Sequence, residues 1–218
     1  MSNPIRPTFK TELIPIIFVA ASVVLSFYFF DRFPASVATH WNAAGAVDGY
    51  SSRGFAAFFF PILNLAIYLL LFFLPLLDPK KANYEHFRSA YHAIKDVLVV
   101  FMIVIYVLVG LNGLGIAAPV GPIVSIGVGC LFAVMGYFLD RVKQNWFMGI
   151  RTPWTLSSET VWQKTHHFGS RVFMASGALF VLAGFFSQLF LLTIILLVLM
   201  MSSTVLYSYI VYRQEHKG

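Results

Sequence analysis

The chain has 218 residues, 59% of them hydrophobic and 11% charged, and its mean hydropathy is +0.78. Soluble domains carry about a quarter charged residues, and a soluble fold would leave much of this apolar surface, 23 Phe included, against water. Composition thus excludes a soluble globular protein, and the net charge of +6 must be placed along the chain before it is read as a nucleic-acid signal.

A helix crossing the hydrocarbon core needs about 20 apolar residues. Residues 13–30 carry no charge and stop at Asp31-Arg32, and residues 55–77 stop at Asp78-Pro79-Lys80-Lys81. Residues 97–118 form a third candidate, and the tight connection from Pro119 to Pro122 leads into a fourth at 123–139. Residues 172–212 are uncharged; as one helix they would be roughly 60 Å long, twice the bilayer core, so they fold back, most simply at Ser187-Gln188. The first segment ends in Phe27-Tyr28-Phe29-Phe30 with no small-residue cleavage site after it, so it reads as a retained span and not a signal peptide. The expectation is an all-α, polytopic membrane protein with six transmembrane helices and additional interfacial helices, organised as two-span units over 1–81, 82–140 and 141–218. Ser125, Gly129 and Ala133 repeat small residues every four positions, which suits close helix packing. The single cysteine, Cys130, reads as a small buried packing residue.

All 15 Lys and Arg fall outside these spans, and 13 of them, Lys217 included, lie on the side shared by both termini; Arg32 and Arg53 lie on the other. The positive-inside rule then makes both termini cytoplasmic, and the basic excess becomes a statement of orientation, with no direct nucleic-acid partner implied. No ionisable residue is expected in mid-span, which argues against an ion-coupled transporter or an intramembrane hydrolase. Asn64, Asn112 and scattered serines read as interhelical hydrogen-bonding groups. No catalytic residue, cofactor or metal is expected.

Specificity is therefore sought in the loops. The outer loop, residues 31–54, carries His40-Trp41-Asn42, Gly45 and Asp48-Gly49. Asp48-Gly49 is a turn dipeptide, and Trp41 and Tyr50 have rings suited to the headgroup interface. Folded scaffolding, a polar recognition patch built on His40, Asn42 and Asp48, and a metal or catalytic site are the three readings these residues allow. The inner loop, residues 140–171, contains Asn145, Gly149, Arg151, Thr152, Pro153, Trp154 and Thr155, then Trp162 and His166. After it Ser157 is a good N-cap, and Val161, Trp162, Thr165, Phe168 and Val172 make an apolar stripe, as expected of a helix lying in the inner interface with basic residues near anionic headgroups. Arg151 is suited to a carboxylate, a lipid phosphate or a protein partner. His166 and His167 point about 100° apart on a helix and cannot chelate one ion together. Tyr84, Phe87, Tyr91, Ile94 and Leu98 repeat the interfacial spacing ahead of the third span.

The run from Pro34 to Tyr50 and the run from Asn145 to His166, with Gly149-Ile150-Arg151-Thr152-Pro153-Trp154-Thr155, Val161-Trp162 and Lys164-Thr165-His166, resemble the two motif regions of the SdpI family of bacterial immunity proteins. Thr160 departs from the pattern, where an acidic residue would make a stronger helix start. The resemblance implies an integral protein of the bacterial cytoplasmic membrane. Its expected activity is protection against a secreted, membrane-active peptide toxin met through His40, Trp41, Asn42, Gly45, Asp48 and Gly49, and its expected partners are membrane lipids, the toxin, and a cytoplasmic repressor that reads the bound state. No enzymatic step is required. The rival expectation is a transporter or export channel for a hydrophobic peptide, lipid or small amphiphile.

Overall fold

The computed structural model describes residues 3–42 and 45–216; Lys217, counted above among the basic residues, lies outside them. Six helices are long and apolar enough to cross a membrane, and the chain is a multi-pass membrane protein. In chain order the elements are α1 (Phe9–Arg32), a hairpin of β1 (Ser36–Trp41) and β2 (Val47–Ser52), α2 (Arg53–Leu77), a 3-10 turn (Lys81–His86), α3 (Arg88–Gly113), α4 (Val120–Leu139), the short α5 (Pro153–Ser157), α6 (Glu159–Phe185) and α7 (Phe190–Glu215). The last two are joined by a 3-10 turn at Ser187–Leu189, where 172–212 was expected to fold back.

Helices α1, α2 and α3 pack on one another, α6 packs between α4 and α7, and α3 against α4 is the helix contact that joins the two groups. The closest pair is α4 with α6. A Cβ on Gly129 would stand 2.7 Å from the Gly177 carbonyl oxygen, and one on Gly136 would stand 2.9 Å from that of Ser170. Ser125 Oγ donates to the Phe180 carbonyl at 2.8 Å. The small-residue stripe is thus a backbone-to-backbone contact face. It also relocates Cys130: that residue is exposed, because α4 turns its Ser125–Gly129–Gly136 face to the protein and leaves Cys130 outside.

Two loop expectations are corrected. The stripe of Val161, Trp162, Thr165 and Val172 is buried against the protein and does not lie in the acyl boundary, because α6 continues without a break from Glu159 through its span. Its N-cap is Ser158, which accepts from Val161 N at 3.2 Å, while Ser157 ends α5. Tyr84, Phe87 and Tyr91 are likewise core residues, clustered with Ile5, Ala90, Val142 and Trp162. Residues from before α1, from the second connection and from the inner loop therefore share one core on the termini face.

The expectation of ionisation-free spans is also overturned. Helix α3 begins at Arg88 and not near Val97, and it carries Lys95 with no exposed surface. Lys95 Nζ donates to Glu12 Oε2 of α1 at 2.6 Å. It also lies 3.3 Å from His92 Nδ1. Tyr68 of α2 donates its hydroxyl to Glu12 at 3.1 Å, and His92 Nε2 donates to the Ile5 carbonyl at 3.0 Å. An apolar window stops at these charges, whereas Glu12 and Lys95 face each other across a helix–helix contact and their helices continue past them.

Candidate functional site

On the hairpin face, β1 and β2 pair antiparallel with Ser36 opposite Ser52, His40 opposite Gly49 and Trp41 opposite Val47, with register irregularities on both sides of His40. Such irregularities re-aim side chains. His40 Nδ1 meets Asp48 Oδ1 at 2.5 Å, and the imidazole lies over Gly49, where a Cβ would sit 2.8 Å from His40 Cβ. Asp48-Gly49 is thus inside a strand, not at the turn. The turn is made by Asn42 and Gly45: Gly45 has φ +78, Asn42 N donates to the Ala46 carbonyl at 2.9 Å, and Asn42 Oδ1 accepts from Ala46 N at 3.1 Å. A glycine at 45 reaches this left-handed backbone without strain. Val37 anchors the hairpin, buried with Phe29, Phe33, Ala56, Ala57, Tyr106 and Val109.

Beneath the hairpin is a cavity of about 720 Å³, with Thr39, His40, Trp41, Asn42 and Gly45 at its edge and walls drawn from α2, α3, α4, α6 and α7. Its wall residues include Phe60, Leu108, Val124, Val128, Phe180 and Phe190, and no Asp, Glu, Lys or Arg lines it. Ser125, its hydroxyl already given to Phe180, adds little polarity. A cavity of this size and lining suits an apolar ligand oriented by a few polar groups. It gathers four of the expected outer residues, His40, Trp41, Asn42 and Gly45, while Asp48 and Gly49 act on it through His40. The cavity itself was not legible in the sequence, since it arises where a hairpin folds over helix ends far apart in the chain.

On the termini face the inner motif is an internally bonded loop. Asn145, fully buried, accepts from Phe147 N at 2.9 Å and Met148 N at 2.6 Å, and donates to the Lys143 and Met148 carbonyls at 2.9 Å each. Gln144 donates to the Thr155 carbonyl at 2.7 Å and accepts from Lys80 Nζ, and Asp78 accepts from Tyr84 Oη and Trp146 N at 2.9 Å each. Asp78, Tyr84 and Gln144 are site-like residues that motif reading passed over; the signal was Asp78, an acidic residue at the otherwise basic stop that ends α2. Burial, and next the Asp78 carboxylate, push the Tyr84 hydroxyl well above the ordinary tyrosine range.

The remaining motif residues follow the same pattern. Thr152 and Thr155 form a capping box for α5 with Pro153 in its first turn, and Thr152 Oγ1 meets Ser208 Oγ of α7 at 3.1 Å. Trp154 packs on Tyr209, ring centroids 5.1 Å apart. Trp162 Nε1 donates to the Val142 carbonyl at 2.8 Å and its ring stacks on His166 at 4.0 Å. His166 accepts from Ile150 N on Nε2 at 3.1 Å and donates from Nδ1 to the Trp162 carbonyl at 2.8 Å. His167 points away, to Asp140 at 3.2 Å. Gly149, φ +114, passes His166 so closely that a Cβ would sit 2.4 Å from Nε2. Arg151 stands apart, exposed, with Nη1 on the Trp146 carbonyl at 2.5 Å. Among the described residues no cluster of three or more His, Cys, Asp or Glu is placed to hold a metal ion.

The SdpI/YfhL protein family model matches residues 141–208, which span this loop, α5, α6 and most of α7. A second model, a domain of unknown function (DUF1648), matches residues 17–65, which hold the hairpin. No solved structure matches the chain. Over 206 residues the chain is 26% identical to the immunity protein SdpI of Bacillus subtilis (strain 168), covering 92% of this chain and 96% of that protein. The inner motif thus lies inside the family match, and the chain is similar to that relative along nearly its whole length.

Proposed function

We propose that the chain is an immunity protein of the bacterial membrane that receives the apolar part of a membrane-active peptide toxin in the cavity beneath the hairpin. The observation that carries this reading is the roughly 720 Å³ apolar cavity edged by His40, Trp41 and Asn42, together with similarity along nearly the whole chain to a protein named for immunity. In this reading the hairpin faces outward and both termini are cytoplasmic, in keeping with the 13 of 15 basic residues on their side. A cytoplasmic repressor would meet the protein on the termini face. Signalling to it would need the toxin to bind two states of that face unequally.

The rival reading, transport, gains from the buried Glu12–Lys95 pair, since ionisable groups within spans often serve ion pathways. Yet Glu12, Tyr68, His92 and Lys95 do not line the outer cavity, so coupling them to a ligand there lacks a contact, and binding is the reading favoured. Expression in a toxin-sensitive bacterium tests it. The unmutated protein is expected to protect; His40→Ala and the cavity-filling Val128→Trp are expected to lower protection at equal membrane abundance. No protection by the unmutated protein against any peptide of the class would overturn the immunity reading.

A further inference from the structure

A second cavity, of about 280 Å³, lies at the opposite end of the seam between the two helix groups. Leu71 and Leu74 come to it from the end of α2, Tyr91 and Ile94 from the start of α3, Met135 and Leu139 from the end of α4, and Phe147, Met148 and Gly149 from the inner motif. No charged side chain lines it, and the Tyr91 hydroxyl is already committed to the Leu71 carbonyl at 2.7 Å. A water molecule needs two to four polar partners to stay in such a space, and these walls offer almost none. Any molecule that these walls take up is hydrocarbon in character.

Around the same loop the charge is one-sided. Arg151 is fixed by one N–H to the Trp146 carbonyl, the residue before Phe147 of the cavity wall. Its other guanidinium N–H groups have no hydrogen-bond partner among the described residues, out of the five that a guanidinium offers. Lys143 makes no side-chain hydrogen bond or ion pair among them either. The nearby carboxylates are spoken for: Asp78 is buried and accepts from Tyr84, Trp146 and Lys80, and Asp140 faces His167. Trp146, 48% exposed, has the ring type that settles at headgroup level. An apolar slot beside unpaired cations matches one molecule with an acyl chain and an anionic head.

We infer that the inner motif builds a binding site for an anionic phospholipid, with one acyl chain in the Leu74–Ile94–Met148 cavity and the phosphate on Arg151 and Lys143. This gives Arg151 a role that its loop-internal neighbours do not: Asn145, Thr152, Thr155 and His166 shape the loop, and Arg151 presents a charge from it. The site is independent of any toxin at the outer cavity.

The test uses the purified full chain in detergent, offered equal amounts of phosphatidylglycerol and phosphatidylcholine, with bound lipid counted by native mass spectrometry. One phosphatidylglycerol per chain, held at least about five-fold in preference to phosphatidylcholine, is expected, since charge-assisted hydrogen bonds to phosphate are the strong ones. Arg151→Ala is expected to abolish the preference while some lipid of either kind still binds. Leu74→Trp, which fills the slot, is expected to remove both, and Arg53→Ala, at the start of α2 on the hairpin face, to change neither. Monodisperse elution shows that each variant is folded. Equal retention of the two lipids by the unmutated protein, or an unchanged preference in Arg151→Ala, would overturn the inference; retention of inorganic phosphate alone, with no lipid, would do the same.

Discussion

Lys95 Nζ lies 2.6 Å from Glu12 Oε2, and neither side chain reaches solvent to any useful extent. The three ammonium donors are directed at Glu12, His92 Nδ1 and, at 3.5 Å, the Thr11 carbonyl, so the charge is fully hydrogen-bonded where an unpaired one would be intolerable. Removing one partner leaves the other charge buried, whereas removing both leaves a packed polar site. Lys95→Met is therefore expected to lower stability by about 3–5 kcal/mol, and the double variant Lys95→Met with Glu12→Gln to recover most of that loss. Thermal unfolding in detergent reads the difference. Equal destabilisation by the single and the double variant would show that the pair does not interact.

The α4–α6 contact makes a sharper steric demand. A Cβ at Gly129 meets the Gly177 carbonyl at 2.7 Å and Val181 N at 2.9 Å, and neither backbone atom can rotate away. Gly121, in the first turn of the same helix, has open space where its Cβ would go. Gly129→Ala is expected to cost about 1–3 kcal/mol by forcing the helices apart, and Gly121→Ala to be neutral or slightly stabilising, since alanine is the better helix former. The same unfolding measurement on the two variants decides it.

Tyr84 links stability to pH at the alkaline end. Its folded-state ionisation is raised above the ordinary tyrosine value near 10 by burial and by Asp78. A raised value means that the unfolded chain loses this proton first, so the contribution is complete below about pH 10 and declines as pH rises beyond it. In Tyr84→Phe that decline is absent, and the variant is less stable at neutral pH by about 1–3 kcal/mol because Asp78 loses a buried donor. The stability gap between the two proteins is thus expected to narrow from pH 9.5 upward, measured by unfolding across that range. A gap that stays constant with pH would contradict the assignment.

Spans were readable in the sequence because a membrane helix is a matter of counting apolar residues, and all six emerged. Faces were harder. The spacing of Tyr84, Phe87 and Tyr91 announced one helical face but not what covers it; Ile5 and Trp162, both far from Tyr84 in the chain, supply the cover. Lys95 was assigned to a loop because a charge ends an apolar window even when its helix continues past it. The outer motif residues come together in one hairpin, yet the Asp48-Gly49 dipeptide, turn-like by composition, lies in a strand where Gly49 gives the His40 side chain a neighbour without a Cβ. In the inner motif the residue types were informative and their roles were not: Asn145, Thr152 and Thr155 are there to satisfy backbone groups of their own loop.

Gly149 and His166 offer a direct test of how that loop is held. Gly149 combines a left-handed backbone, φ +114, with a passage across the imidazole that leaves no room for a Cβ, and the next residue donates its N–H to the same ring nitrogen. Gly149→Ala therefore meets both backbone strain and a clash, and relief comes by lifting the 146–151 segment off His166. Gly115 has a similar positive φ, +80, with nothing near its Cβ position, so Gly115→Ala brings strain alone and at the other membrane face. Making local opening easier by about 1.4 kcal/mol raises access of a protease to an exposed bond roughly ten-fold. Trypsin cleavage after Arg151 is expected to speed up by about that factor in Gly149→Ala and in His166→Ala, and to be unchanged in Gly115→Ala. Equal cleavage in all of these proteins would mean that the His166 contact does not hold the loop.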